Sequence, residues 1–182
     1  MPLADMLLSL TPSPLLLLCL VLVIALVESL ALVGLLVPGV VLITSTASMA
    51  GHQDITLAWL IGAAFIGAVI GDGISFLLGY RHRDQVTQRW PLSQHPEWLG
   101  RGSRFFERYG IWSVFIGRFV GPVRPIIPLV AGMMQMPPRT FIWANLTSAA
   151  LWAPAYILPG YLLGRTWQHH LNLPPGLEAA LL

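Results

Sequence analysis

The sequence has no lysine and very few charges of any kind. Of 182 residues, 18 are charged, ten Arg and eight Asp or Glu, or 10% of the chain, against roughly 25% in soluble domains. That deficit excludes an ordinary soluble protein. A hydrophobic share of 55% also excludes a disordered tail, which needs low hydrophobicity and high charge. The single cysteine, Cys19, excludes an intrachain disulfide framework. No Gly-rich phosphate loop, nucleophile elbow or HExxH pattern occurs, so an enzyme has no support and no catalytic residue is expected. The five histidines, His52, His82, His95, His169 and His170, lack zinc-ligand spacing, so no metal site or cofactor is expected. The net charge of +2 comes from Arg concentrated in one segment, which speaks to membrane topology rather than to nucleic acid.

What is present is apolar length. With a mean hydropathy of +0.71, the chain reads as an all-α, multi-pass membrane protein. Residues 15–37 form an apolar run of 23 residues carrying one charge, Glu28; at about 1.5 Å per residue the run is long enough to cross a bilayer with some tilt. The residues before it carry Asp5 and no Arg or Lys, so the positive start of a signal peptide is missing. Pro38 and Gly39 break the run. Residues 40–50, rich in Thr and Ser, are too short to span and read as the returning arm of a re-entrant hairpin. Residues 55–80 predict a full crossing with Asp72 inside it, and Gly62, Gly67 and Gly71 are expected to serve close helix packing.

Six Arg lie in residues 81–108 with Trp90, Trp98 and Tyr109. Trp98, Phe105 and Tyr109 fall at helical spacing beside Gly102, which predicts an amphipathic helix lying on the membrane surface. Apolar character resumes at Ile111 but is broken by Gly121, Pro122, Pro125 and Pro128, leaving arms too short to span. Residues 140–164 predict a second crossing, and residues 165–182 a peripheral tail.

An offset of 84 positions places Pro38 over Pro122, Ile43 over Ile127, Met49 over Met133, Trp59 over Trp143 and Arg81 over Arg165. The shared order, broken helix then spanning helix, is the stronger signal. A broken unit that enters and leaves by one face makes the single crossing start the next unit on the other face, the inverted-topology repeat used by transporters. The chain thus reads as one domain, 1–182, with repeat one at 15–80, a cytoplasmic interfacial segment at 81–110 and repeat two at 111–164.

Four charges sit in apolar surroundings: Glu28, Asp72, Arg118 and Arg124. Each costs about 2.5–3.5 kcal/mol at a helix centre, so each must pair or face water. Ion pairs that only pack helices, and Arg side chains snorkelling to headgroups, are the alternatives to a functional site. The two Arg bracket a Gly-Pro break, where freed backbone groups need a cavity and half-helix N-termini can point at an anion.

The stretch at residues 105–152, with Arg118-Phe119, Pro122, Arg124, Pro128, Ala131-Gly132 and Asn145, resembles the signature region of the DedA membrane proteins, the VTT or SNARE-associated Golgi superfamily. Glu28, Pro38-Gly39 and the Gly71-Asp72 to Leu78-Gly79 element are similar in the first half. Two departures stand out: Val40 occupies a place where many members carry an acid, and Gly121-Pro122 reverses the common order. GPVRP with WAPAY resembles members fused to a lipid phosphatase. The resemblance implies lipid translocation in the cytoplasmic membrane, with undecaprenyl phosphate as the usual bacterial substrate and phospholipid scrambling in eukaryotic relatives.

The residues allow that independently. A phosphate monoester carries about 1.5–2 negative charges, which suits two Arg as bidentate binders, helped by helix N-terminal amides after Pro38 and Pro128. Glu28 and Asp72 are the charge partners; Glu28, within the long apolar run, is the expected site of proton uptake, with Asp72 as the alternative. Gly132 and Asn145 complete the expected break and cavity. The lipid is the expected partner; proton coupling and a homo-oligomer stay open. The other readings are a proton- or ion-coupled transporter of a small solute, and a non-transporting assembly protein.

Overall fold

The computed structural model describes residues 13–31, 33, 34, 39–52, 55–82, 96–120 and 124–171. Among these the regular elements are all helices: α1 Pro14–Ser29, α2 Gly39–His52, α3 Leu57–Arg81, α4 Pro96–Tyr109, α5 Trp112–Gly117, α6 Ile126–Met133 and α7 Pro138–Leu171. Two segments are long and apolar enough to cross a membrane, the 25 residues of α3 and the 29 residues Pro138–Thr166 of α7.

The first apolar run does not form the single crossing expected over 15–37. Helix α1 starts where the Ser13 hydroxyl accepts the Leu16 N–H (3.2 Å) with Pro14 next in line, a start that suits both residues. It ends after 16 residues, because Leu30 turns to extended backbone (φ −75°, ψ 126°). At about 1.5 Å per residue it is roughly 24 Å long, short of the roughly 30 Å hydrocarbon core. Ser75 of α3 fixes the break: its hydroxyl accepts the Ala31 N–H (2.9 Å) and lies 3.1 Å from the Ser29 carbonyl. At the other end of the chain α7 runs on past Gly164 to Leu171, so the first residues of the expected peripheral tail continue the spanning helix.

Lipid offers no hydrophobic drive between helices, so close backbone approach through small residues carries the packing. A methyl group on Gly67 would overlap the Leu22 carbonyl and one on Gly71 the Leu26 carbonyl, so α1 and α3 run in the same direction in contact. Gly160 meets Thr44 and Gly164 meets Ser48, which aligns α2 with α7. Gly132 of α6 is pressed on Phe76 and Tyr80 of α3. Gly62, by contrast, has open space around it, so the expected packing role belongs to Gly67 and Gly71 only.

Asn145 reaches Val69 while Phe141 stacks on Phe76 at 4.1 Å, so α3 and α7 run antiparallel. Trp59 and Trp143, both exposed near their helix starts, therefore mark opposite ends of the bundle, as interfacial aromatics do. Arg81 and Arg139 fall at one end. Helix α4 lies there too, with Gly102 against Val130 and Ile126 of α6, Phe105 and Phe106 on the core, and Arg101, Arg104 and Arg108 exposed.

Candidate functional site

The two long apolar helices α3 and α7 and the ends of α1, α5 and α6 meet at the four charges. Arg118 caps α5, and the α6 side of the same break begins with Arg124 and Pro125. Asp72 stands on α3 one residue past Gly71, which packs against Leu26 of α1; Glu28 is in the last turn of α1. The structure brings these four together as two ion pairs. Arg118 Nη2 donates to Asp72 Oδ2, and Arg124 Nη1 to Glu28 Oε1. Exposure is 4% and 6% in the first pair and 9% and 6% in the second. Buried ions of this kind are tolerated when paired and further hydrogen-bonded.

The further bonds come from α7. Asn145 Oδ1 accepts from Arg118 Nη2 at 2.6 Å, and its Nδ2 donates to the Val69 carbonyl at 3.2 Å. That amide therefore ties the Asp72–Arg118 pair to both spanning helices at once. The Arg124 guanidinium lies over the Trp152 ring at 4.2 Å, and Trp152 in turn meets the Tyr156 ring at a tilt, centroids 5.2 Å apart. A desolvated cation over an indole face is held by about 2 kcal/mol. The two guanidiniums are near enough to influence one another, and each lies against its own acid, so the four charges form one neutral cluster.

Among the described residues, Arg118 Nη1, Arg124 Nη2, Glu28 Oε2 and Trp152 Nε1 at the site are buried with no hydrogen-bond partner, as is the Ser29 hydroxyl beside Glu28. An unmet buried polar group costs about 1–3 kcal/mol. Three of these are N–H donors, two on guanidiniums and one on an indole, which is the equipment for an anion.

The residues of the expected helix breaks divide three ways. Pro38, Gly121 and Pro122 lie outside the described residues. Gly39 opens α2 directly against the Glu28 side chain; a Cβ there would overlap the carboxylate, so only glycine admits the acid. Pro125 caps α6 at φ −72° and ψ −16°. Pro128 sits inside the first turn of α6, where its missing N–H has no helical partner to lose; the α6 amides thus begin at Ile126, not after Pro128. Gly132 serves the α3 crossing rather than the break. Ser75, Trp152 and Tyr156 were not among the expected residues. Trp152 and Tyr156 lie seven and eleven positions beyond Asn145, one face of a helix, and that spacing was the available signal; Ser75 has none, because its role depends on where α1 stops.

The VTT domain family matches residues 30–162. Inner membrane protein YabI of Escherichia coli (strain K12) is 38% identical over 162 residues, 87% of this chain and 61% of that protein. An uncharacterized membrane protein of Buchnera aphidicola subsp. Baizongia pistaciae (strain Bp) is 36% identical over 146 residues, 79% of this chain and 56% of its own. Uncharacterized membrane protein Rv2637 of Mycobacterium tuberculosis (strain ATCC 25618 / H37Rv) is 31% identical over 157 residues, 83% of this chain and 72% of its own. The chain thus spans about three-fifths of the length of the first two relatives. No solved structure matches. With a domain match across most of its length, an all-helical fold and two apolar spans, the chain belongs to the VTT-domain family of membrane proteins, the DedA family.

Proposed function

We propose that this protein carries a phosphate-headed lipid across the cytoplasmic membrane, with undecaprenyl phosphate as the substrate, by exposing the Arg118–Arg124 site alternately to the two faces. It is a carrier in this reading, not an enzyme. The observation that carries the proposal is that each buried guanidinium spends one nitrogen on an acid and keeps another unpartnered, with an unpartnered indole N–H beside them. Two Arg forks suit a phosphate monoester better than any neutral solute.

The helix directions support the re-entrant, inverted-repeat architecture. Helix α1 aligns with α3, α2 with α7, and α3 opposes α7, so α1 and α2 point in opposite senses, as the arms of a hairpin do. The contact of Ser48 with Gly164 becomes, at the offset of 84, that of Gly132 with Tyr80, and both occur. The Arg-bearing end, with Arg81, α4 and Arg139, is the cytoplasmic one by the positive-inside rule.

Two Arg and two acids sum to zero, so an arriving phosphate leaves the site at about −1.5 to −2. Uptake of a proton at Glu28, whose Oε2 has no partner, offsets this. Arg124 is the charged group paired with that acid, and Glu28→Gln isolates its part. Affinity for undecaprenyl phosphate is expected to fall between pH 6 and 9 more steeply in the wild type than in Glu28→Gln; equal slopes would remove the proton step. The main test is binding of undecaprenyl phosphate by purified protein against Glu28→Met/Arg124→Met, which keeps the packing without the charges. Loss of binding in a folded double variant supports the carrier; retained binding favours the reading in which the pairs only hold helices together.

A further inference from the structure

A groove of about 260 Å³ runs between α3 and α7 on the flank of the bundle. Its walls include Val69, Gly73 and Leu77 from α3 and Phe141, Ile142 and Asn145 from α7. We infer that this groove is the lateral seat of the substrate's hydrocarbon chain, the slot through which a lipid with its phosphate at Arg118 keeps its tail in the bilayer. The inference rests on the reading of the site as a lipid-phosphate site and adds where the rest of the molecule goes.

Three observations converge on a hydrocarbon occupant. Asn145 is the single polar side chain in the lining, and both ends of its amide are already engaged, by Arg118 and by the Val69 carbonyl. The groove therefore offers a polar solute nothing to bind. Its outer lip faces lipid, since Leu77 and Ile142 are 48% and 52% exposed on the two spanning helices. Its inner wall borders the charged site, because the Asn145 amide that lines the groove is the one that accepts from Arg118. A volume below the range of about 300–1,000 Å³ of pockets that enclose whole small molecules fits one stretch of a long chain, the remainder staying among the lipid tails.

Gly73 keeps the slot open. Glycine inside a helix is less favourable than alanine, and unlike Gly67 or Gly71 this one touches no neighbouring helix: a Cβ there meets nothing within 4 Å. Packing does not require it, whereas an open groove does. Gly62, on the same helix and equally free of neighbours, is outside the lining and provides a matched control.

The full chain in nanodiscs, as wild type, Gly73→Phe and Gly62→Phe, is titrated with undecaprenyl phosphate and with dimethylallyl phosphate, which has the head group but almost no chain. Gly73→Phe is expected to weaken the long-chain lipid by about tenfold or more and to leave the short phosphate within about twofold, with Gly62→Phe changing neither. Ile142→Trp, which fills the groove from α7, should act like Gly73→Phe and stands in for it if that variant does not fold. Unchanged undecaprenyl phosphate binding in both groove variants, or equal loss of both phosphates, overturns the groove as the chain seat and leaves the head-group site standing. Failure of the wild type to bind either phosphate overturns the head-group reading and this inference with it.

Discussion

Replacing Glu28 by Met leaves the Arg124 guanidinium, 9% exposed, without its acid. Breaking one side of a buried pair costs about 3–5 kcal/mol, because the surviving charge stays buried. Here the Trp152 face remains under Arg124 at 4.2 Å and retains up to about 2 kcal/mol of cation attraction, which places the single variant near the lower end, about 3 kcal/mol. At roughly 2–4 °C per kcal/mol for a chain of this size, the melting temperature should drop by about 6–12 °C. The double variant Glu28→Met/Arg124→Met is the informative one. Methionine has the length of glutamate, is the longest unbranched apolar replacement for arginine, and has no branch to strike Gly39, whose backbone lies against the Glu28 carboxylate. Apolar replacement of a whole buried pair is often neutral or stabilising, and volume-conserving exchange costs less than about 1.5 kcal/mol. The double variant should therefore melt within about 4 °C of the wild type, well above Glu28→Met. The assay is thermal unfolding of purified protein in detergent, followed by size-exclusion fluorescence. A double variant that falls as far as the two singles added together would show that the charges are not coupled and that the pairing has no energetic consequence.

Three other outcomes follow from the packing. Gly67→Ala should cost about 1–3 kcal/mol through overpacking against the Leu22 carbonyl, while Gly62→Ala on the same helix should be neutral or gain about 0.5–1 kcal/mol; comparing their melting temperatures checks which glycines the α1–α3 contact uses. Ser75→Ala should cost about 1–3 kcal/mol by stranding the Ala31 N–H it now binds at 2.9 Å, seen as faster amide exchange at Ala31. In a Cys19→Ala background, Ser103→Cys on α4 should resist an impermeant thiol reagent in intact cells and label after permeabilisation, and labelling of intact cells would put the Arg-rich end outside.

The sequence by itself determined the class of molecule and the identity of the charged residues. Apolar runs the length of α3 and α7 have little alternative to helices in lipid, where every backbone group must be satisfied within the segment. Glu28, Asp72, Arg118 and Arg124 stood out because a charge among apolar residues is costly wherever the fold puts it. The spacing of Trp98, Phe105 and Tyr109 pointed to an amphipathic α4, but which residues face inward was not legible: Gly102, Phe105 and Phe106 turn to the core and Tyr109 is exposed.

Tertiary structure alone decided which acid meets which Arg. Glu28 and Arg124 are 96 positions apart and Asp72 and Arg118 are 46, and nothing local favours one pairing over the other. It also decided where the first helix stops. Residues 15–37 are apolar apart from Glu28 and Ser29 and long enough to cross, yet α1 ends at Ser29, where a hydroxyl on another helix, Ser75, engages the freed backbone groups. The distinction between Gly67, Gly62 and Gly73, one residue type on one helix, likewise depends on what stands opposite: a carbonyl in the first case and open space in the other two. Local sequence specifies the groups that must be satisfied, and the helices that come alongside determine how each one is.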